Sequence, residues 1–335
     1  MTIASGVGSL PGSDATAYDE AVRLVLGELP ELPHAPELPG RGATATMIGR
    51  TIALIAELGA DLQPAGWRLT DAAGVDQRRA RSLLAQDLDA IEEQTQGYTG
   101  RFKLQVAGPW TMAASVERPR GDRILADHGA RRELAQALAE GLRDHIADVR
   151  RRLPDVDLVV QVDEPSLPAV LAGAVPTASG FGRHRSVDPP RASPALEWVF
   201  AAVREAGATP VAHCCASDVP ISLLVGAGAE GVSVDLTVLP VSAYDDLAAL
   251  IEQQRPVFLG VVPSDQPDEV PSDRALTERV IRLLDMLGLD PESSAESLVI
   301  TPTCGLAGAD RSWARKAMGL SRIVAANLAG HLSTG

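Results

Sequence analysis

The densest chemistry in this chain lies in residues 209–217, TPVAHCCAS, where a histidine precedes two of the three cysteines. Pro210, Val211 and Ala212 make an apolar approach that reads as a short buried strand. Side chains alternate along a strand, so His213 and Cys215 share one side and Cys214 takes the other. The third cysteine, Cys304, ends a second apolar run, residues 298–303 (LVITPT). A third run, Val232-Ser233-Val234-Asp235, ends in a carboxylate. One imidazole, two thiols and a carboxylate at strand ends make a donor set for tetrahedral zinc: His213, Cys215, Asp235 and Cys304. A free cysteine usually just packs. What favours a metal here is the coincidence of these donors in a chain so poor in cysteine. Two thiolates and a carboxylate outweigh the charge of Zn2+, which makes such a centre a poor activator of water. It suits a substrate thiol held as a nucleophilic thiolate, and so alkyl transfer to sulfur. A hydrolase would more typically use histidines and an open water position.

Other polar groups also fall where apolar runs end. Asp163 and Glu164 follow LVVQV at residues 158–162. Burying an unpaired carboxylate is costly, so this pair reads as substrate-binding; the competing reading is a helix cap with one acid solvated. Gly8-Ser9 offers backbone N–H groups and a hydroxyl to an anion, or makes a plain turn. His34 and Glu37 sit in a proline-rich segment. Trp110 is an aromatic platform for a ligand or a plug in a barrel mouth. His184, between Arg183 and Arg185, belongs to residues 173–193, the longest non-periodic stretch and a candidate active-site loop. It is either a mobile acid or a surface residue. His128, His145 and His331 fall in helical patterns and read as surface.

Short apolar strands and amphipathic helices alternate along the chain and must position these groups. Strands are expected at residues 6–10, 32–38, 103–107, 158–162, 211–213, 231–235, 256–262 and 298–302. Helices are expected at residues 15–29, 43–58, 77–94, 131–152, 195–206, 243–253, 273–287 and 312–329. Eight β-then-α units predict an α/β fold, a (β/α)8 TIM barrel forming a single domain over residues 1–335, with an open doubly wound sheet as the alternative. In a barrel the C-terminal strand ends carry the catalytic groups. No GxGxxG follows the first strand and no P-loop is present, which counts against nucleotide binding. The formal net charge of −14 argues against nucleic acid and anionic membranes as partners. Three cysteines, an odd number, argue against a disulfide framework and for a reducing cytoplasm. No signal peptide and no membrane span are expected.

The motifs together resemble the cobalamin-independent methionine synthase family. They are His213-x-Cys215, Asp235, Thr301-Pro302-Thr303-Cys304-Gly305-Leu306, Gly8-Ser9, Gly108-Pro109 and Val160-Gln161-Val162-Asp163-Glu164-Pro165, in the family's order. The likeness is to the family's C-terminal catalytic barrel. It implies a methyltransferase that forms methionine by passing a methyl group from methyltetrahydrofolate to the zinc-bound thiol of homocysteine. It implies His213, Cys215 and Cys304 as zinc ligands, with Asp235 standing where the family has a glutamate. It gives Asp163 to the homocysteine ammonium, Ser9 to its carboxylate, and Glu37 to the ammonium as a second acid. Two places depart from the family. Ser115 stands where the family packs a tryptophan on the folate, and Asp265 is the nearest substitute for a proton-donating histidine, with His184 as another. Short relatives of this kind resemble the chain too, some of them using a methylcorrinoid donor. A corrinoid-dependent thiol methyltransferase and a non-catalytic zinc- or thiol-binding barrel therefore remain the alternatives.

Overall fold

The structure is a computed structural model that describes residues 2–55 and 57–331, the His331 side chain excepted. The chain runs β1 (Ile3–Ala4), α1 (Ala15–Glu28), α2 (Met47–Leu54), β2 (Gly59–Gln63), β3 (Gly66–Thr70), α3 (Val75–Gln94), β4 (Arg101–Ala107), α4 (Pro109–Ser115) and α5 (His128–Arg152). It continues through β5 (Asp157–Asp163), α6 (Leu167–Leu171), α7 (Pro189–Glu205), β6 (Thr209–Cys214), α8 (Ile221–Gly226), β7 (Gly231–Asp235) and α9 (Tyr244–Glu252). It ends with β8 (Val257–Val262), α10 (Asp273–Leu287), α11 (Pro291–Ser294), β9 (Leu298–Pro302) and α12 (Arg311–His331).

Seven strands form one parallel sheet in the order β1-β9-β8-β7-β6-β5-β4. Strands β6, β8 and β9 are buried nearly end to end, the pattern of a parallel sheet covered on both faces. The outward side chains meet the helices in the main core, which includes Leu104, Val160, Ala212, Val234 and Ile300. The opposite faces supply a separate apolar cluster of Ile3, Leu32, Val159, Val211, Phe258 and Val299. This cluster takes one residue from each of five strands, which is how the interior of a curled parallel sheet fills. Register levels the strands: Asp163 pairs with His213, and His213 with Ser233. Side-chain caps fix several helix starts, as Asp14 accepts from Ala17 N at 2.8 Å and Asp127 from Ala130 N at 2.9 Å. No described helix is long and apolar enough to cross a membrane.

Four expectations need correction. The first strand is Ile3–Ala4, and residues 6–10 run on irregularly. Residues 32–38 form no regular strand. They make two isolated parallel bridges, His34 to Lys103 and Ser9 to Glu37. Ala35 N donates to Lys103 O at 2.9 Å and Glu37 N to Gly8 O at 3.1 Å, but Pro33 and Pro36 have no N–H for a ladder. The stretch still lies between β4 and the segment after β1. Residues 59–70, given no element above, form the antiparallel β2–β3 hairpin, turned at Pro64-Ala65, with Gly66 opening β3 at a φ of 125°. Helix α7 starts at Pro189, ahead of the expected residue 195, because proline is tolerated in a first helical turn. The long loop is correspondingly shorter and carries a bridge between Pro176 and Arg183.

Candidate metal centre and substrate site

Strand β6 delivers His213 at its penultimate position, and Cys215 follows directly after its end. Cys304 follows the end of β9. Donor atoms of His213, Cys215 and Cys304 all lie within 4.8 Å of one another, and the two Sγ atoms are 3.0 Å apart. That separation is too long for a disulfide, and all three cysteines are free. His213 Nδ1 lies 2.9 Å from Ser233 Oγ on the neighbouring strand, which orients the ring and leaves Nε2 for a ligand role. The contact with Cys215, reinforced by His213, pulls the Cys304 thiol below its ordinary range, while the same contact pushes Cys215 up. Two adjacent thiols and an oriented imidazole are a soft donor set that fits zinc. Cys214 is fully buried in the main core, on the other side of the strand.

Asp235 stands apart from this group. Its Oδ1 accepts from Thr237 N at 2.8 Å and Thr237 Oγ1 at 2.6 Å, an Asx turn at the end of β7. The tetrahedral set expected from sequence is thus three donors brought together and one turned away.

Beside the thiols lies a buried polar cluster. Asp163 ends β5 and accepts from Gln161 Nε2 at 2.7 Å. Gln161 also accepts from Lys103 Nζ at 2.7 Å and donates to Val7 O at 3.0 Å. Lys103 is completely buried, and Asp163 and Glu37 are the carboxylates whose charges stabilise it. Burial pushes Asp163 up to about 6 against the pull of His213 and Gln161. Burial likewise pushes Glu37 up to about 7 against Arg50, and Lys103 down to about 7. Glu37 is held from behind. Arg50 Nε lies 3.5 Å from it, and Arg50 Nη1 donates to Asp87 at 2.5 Å. Asp87 also receives both Nη atoms of Arg41 at 2.7 Å, and that guanidinium stacks 4.5 Å from the Tyr18 ring centroid. Two arginines and two acids balance in charge, which makes this burial tolerable. Ser9 reaches the cluster through its bridge to Glu37, and its backbone carbonyl accepts from Leu306 N at 2.8 Å. A Cβ at Gly305, next to Cys304, would come 2.1 Å from Ser9 Oγ, so the glycine makes room for that hydroxyl.

Lys103, Gln161, Arg50 and Asp87 were absent from the sequence-derived candidates. The available signal was a lysine and a glutamine inside otherwise apolar strand runs, KLQVA and LVVQV. Both lie in the sheet's interior, where a polar residue needs partners.

The remaining candidates sit elsewhere. Glu164 is fully buried, and its carboxylate accepts from Trp110 N (2.9 Å), Thr111 N (2.8 Å) and Thr111 Oγ1 (2.8 Å). It anchors the start of α4 instead of facing a substrate, and a Cβ at Gly108 would come 2.3 Å from its Oε1. Burial raises it to about 7 while these donors oppose the rise. Glu164→Gln turns one acceptor into a donor facing N–H groups. It is expected to lower stability by ~1–3 kcal/mol in urea unfolding while leaving metal content unchanged. An unchanged midpoint with weakened substrate binding would restore the substrate role. Trp110 is buried between α4 and α7, with its indole N–H donating to Ala192 O at 3.1 Å. It is no platform at the thiols. His184 is buried and not a surface residue, with Nε2 3.3 Å from Asp122 Oδ1. Asp265 and Ser115 are exposed. His128 is exposed as expected, but His145 is half-buried near Arg50, and burial holds its imidazole down to about 4. The His331 side chain lies outside the described residues.

A curled parallel sheet that gathers two thiols, an imidazole and buried acids at its strand ends places the chain in the α/β class with a barrel-like sheet. Residues 90–327 match the catalytic domain of the cobalamin-independent synthases, and the chain belongs to that family. It is a methionine synthase-like catalytic domain and an enzyme of methyltransferase type. Among solved structures it is similar to a B12-independent methionine synthase from Shewanella sp. W3-18-1, in complex with selenomethionine. That likeness has 13% identity and a TM-score of 0.66, covering 100% of both chains. A beta-1,4-D-mannanase from Cryptopygus antarcticus follows at 12% identity and a TM-score of 0.46, over 96% of this chain and 90% of that one. A beta-galactosidase from Marinomonas ef1 aligns at 13% identity and 0.47, over 99% and 61%. No curated protein matches the chain by sequence.

Proposed function

We propose that this protein is a zinc-dependent S-methyltransferase that methylates the thiol of homocysteine to give methionine. The observation that carries the reading is the meeting of His213, Cys215 and Cys304 within 4.8 Å, beside the buried Asp163 and Glu37. Zinc held by those three residues supplies the positive charge that keeps a substrate thiol ionised near neutral pH. Asp163 and Glu37 offer two carboxylates to an amino-acid ammonium, and Ser9 offers its hydroxyl to the carboxylate. Lys103 tempers the mutual repulsion of the two acids, and the Arg50–Asp87–Arg41 chain holds Glu37 in place. With the cation site and the ammonium site both fixed, the thiol is oriented before the methyl donor arrives. The likeness to a synthase solved with selenomethionine supports an amino acid carrying a sulfur-like atom as the ligand class. We take residues 1–335 as one domain, with 33–37 and 7–10 closing the sheet into a (β/α)8 barrel through their bridges to β4 and to each other. The free cysteines support a cytoplasmic setting.

For the donor, a methylcorrinoid reading is favoured by one observation. The positions matching the family's folate-packing tryptophan and proton-donating histidine are the exposed Ser115 and Asp265. Methyltetrahydrofolate leaves as an amine and needs a proton delivered near the transition state. A methylcorrinoid needs none. Purified protein with zinc and homocysteine is therefore expected to methylate faster from free methylcobalamin than from methyltetrahydrofolate at equal concentration. Folate-dependent turnover that disappears in His184→Ala would overturn this and make His184 the acid. Homocysteine binding with no turnover from any donor would instead favour a non-catalytic thiol-binding barrel.

A further inference from the structure

A cleft of about 750 Å3 opens where α4, α5 and α7 begin, away from the thiol pair. Two tryptophans, Trp110 and Trp198, form its walls, and His128, Arg131, Arg132 and Arg191 line it. The Arg131 guanidinium lies 5.6 Å from the Trp110 ring centroid, and that of Arg132 lies 5.8 Å from the Trp198 ring centroid. Stacking of this kind fixes a guanidinium without consuming its N–H donors.

The charge pattern is unusual for this molecule. The chain carries 44 acids against 30 lysines and arginines, and most of its clustered arginines elsewhere meet a carboxylate. Among the described residues, Arg131, Arg132 and Arg191 form no ion pair. The buried Nε of Arg131 has no hydrogen-bond partner at all. Arg131 and Arg191 are close enough to repel each other electrostatically. Asp127, the cap of α5, attracts Arg131 electrostatically, but its hydrogen bonds go to Ala130 N at 2.9 Å and Arg118 at 3.2 Å and not to Arg131. Three like charges held around one cavity, with a buried donor left over, have only the shared Asp127 beside Arg131 to offset them, which leaves room for an anion.

We propose that this cleft binds an organic polyanion, a ligand with two or more phosphate or carboxylate groups and an apolar body. The arginines and His128 contact the anionic groups. The Trp110 and Trp198 walls, with Pro190 and Pro194, contact the apolar body. Its inner wall is rigid, because Trp110 is fixed by Glu164 at its N–H and by Ala192 at its indole. This site is independent of the methyl-transfer reading.

Inorganic pyrophosphate and citrate serve as probes, titrated by calorimetry and by tryptophan fluorescence at constant ionic strength. Saturable binding of at least one is expected, with pyrophosphate preference pointing to a phosphate ester and citrate preference to a polycarboxylate. Arg191→Gln, at an exposed position, is expected to weaken binding about tenfold, and Arg131→Gln with Arg191→Gln to abolish it. Arg143→Gln, on α5 but paired with Glu140 and Glu205, is expected to bind as the parent does. Zinc content should not change in any of them. If neither probe saturates, or if Arg191→Gln binds both as tightly as the parent, the cleft is no anion site.

Discussion

Cys215→Ser and Cys304→Ser are each expected to strip zinc from the purified protein, while Cys214→Ser keeps it. Serine offers a hard hydroxyl that does not ionise near neutral pH, so each change removes one of two soft anionic donors from a three-residue set. Structural zinc sites in small peptides hold their ion by roughly 10–16 kcal/mol, and losing one thiolate from a three-residue set is expected to remove enough of such binding for dialysis against a weak chelator to empty the site. Cys214 is fully buried and faces the main core. Its replacement leaves a hydroxyl in apolar surroundings and costs ~1–3 kcal/mol of stability, without touching the metal. Asp235→Asn gives the third arm. With Oδ1 turned to Thr237, it should retain zinc at close to the parent stoichiometry. Elemental analysis per chain decides all three. Zinc lost from Cys214→Ser and kept in Cys215→Ser would mean the strand register is wrong.

That His213, Cys215 and Cys304 come together could be anticipated from strand geometry. A period of two settles which of His213, Cys214 and Cys215 share a side, and apolar runs mark where the strands end. Asp235 shows the limit of such reading. Its place at a strand end was correct, but a threonine two residues on captured the carboxylate, and local competition of this kind depends on χ angles that spacing does not reveal. Glu164 is the same lesson from the other direction. The pair Asp163-Glu164 drew attention as one motif, yet alternation sends the two side chains to different faces, one toward Lys103 and Gln161, the other toward α4. The second strand failed because Pro33 and Pro36 leave only isolated bridges, although the chain still runs where a strand was expected. The support behind Glu37 was invisible because Arg41, Arg50 and Asp87 come from separate turns and helices and meet only after packing.

Asp163→Asn is expected to weaken homocysteine binding by ~2–4 kcal/mol, read by calorimetry on the zinc-loaded protein, because the ligand's ammonium loses its closest countercharge in a water-poor pocket. The magnitude rests on where Asp163 sits. It is 6% exposed, and one oxygen is fixed by Gln161 Nε2 at 2.7 Å, leaving the other for a ligand. Gln161 cannot turn to compensate, since its carbonyl oxygen is held by Lys103 at 2.7 Å and its amide also reaches Val7 O at 3.0 Å. An asparagine at 163 would therefore either place its amide N–H against the ammonium or set it against the Gln161 amide. Both choices leave a buried donor facing a donor. Glu37 would remain as the only nearby acid, which is why binding should weaken and not vanish. Lys103 also loses a stabilising neighbour, so its own charge becomes costlier to keep. The metal donors stand on β6 and after β9, so zinc content should stay at the parent value. Unchanged affinity with zinc intact would remove Asp163 from the substrate site, and lost zinc would show that Asp163 supports the metal donors instead.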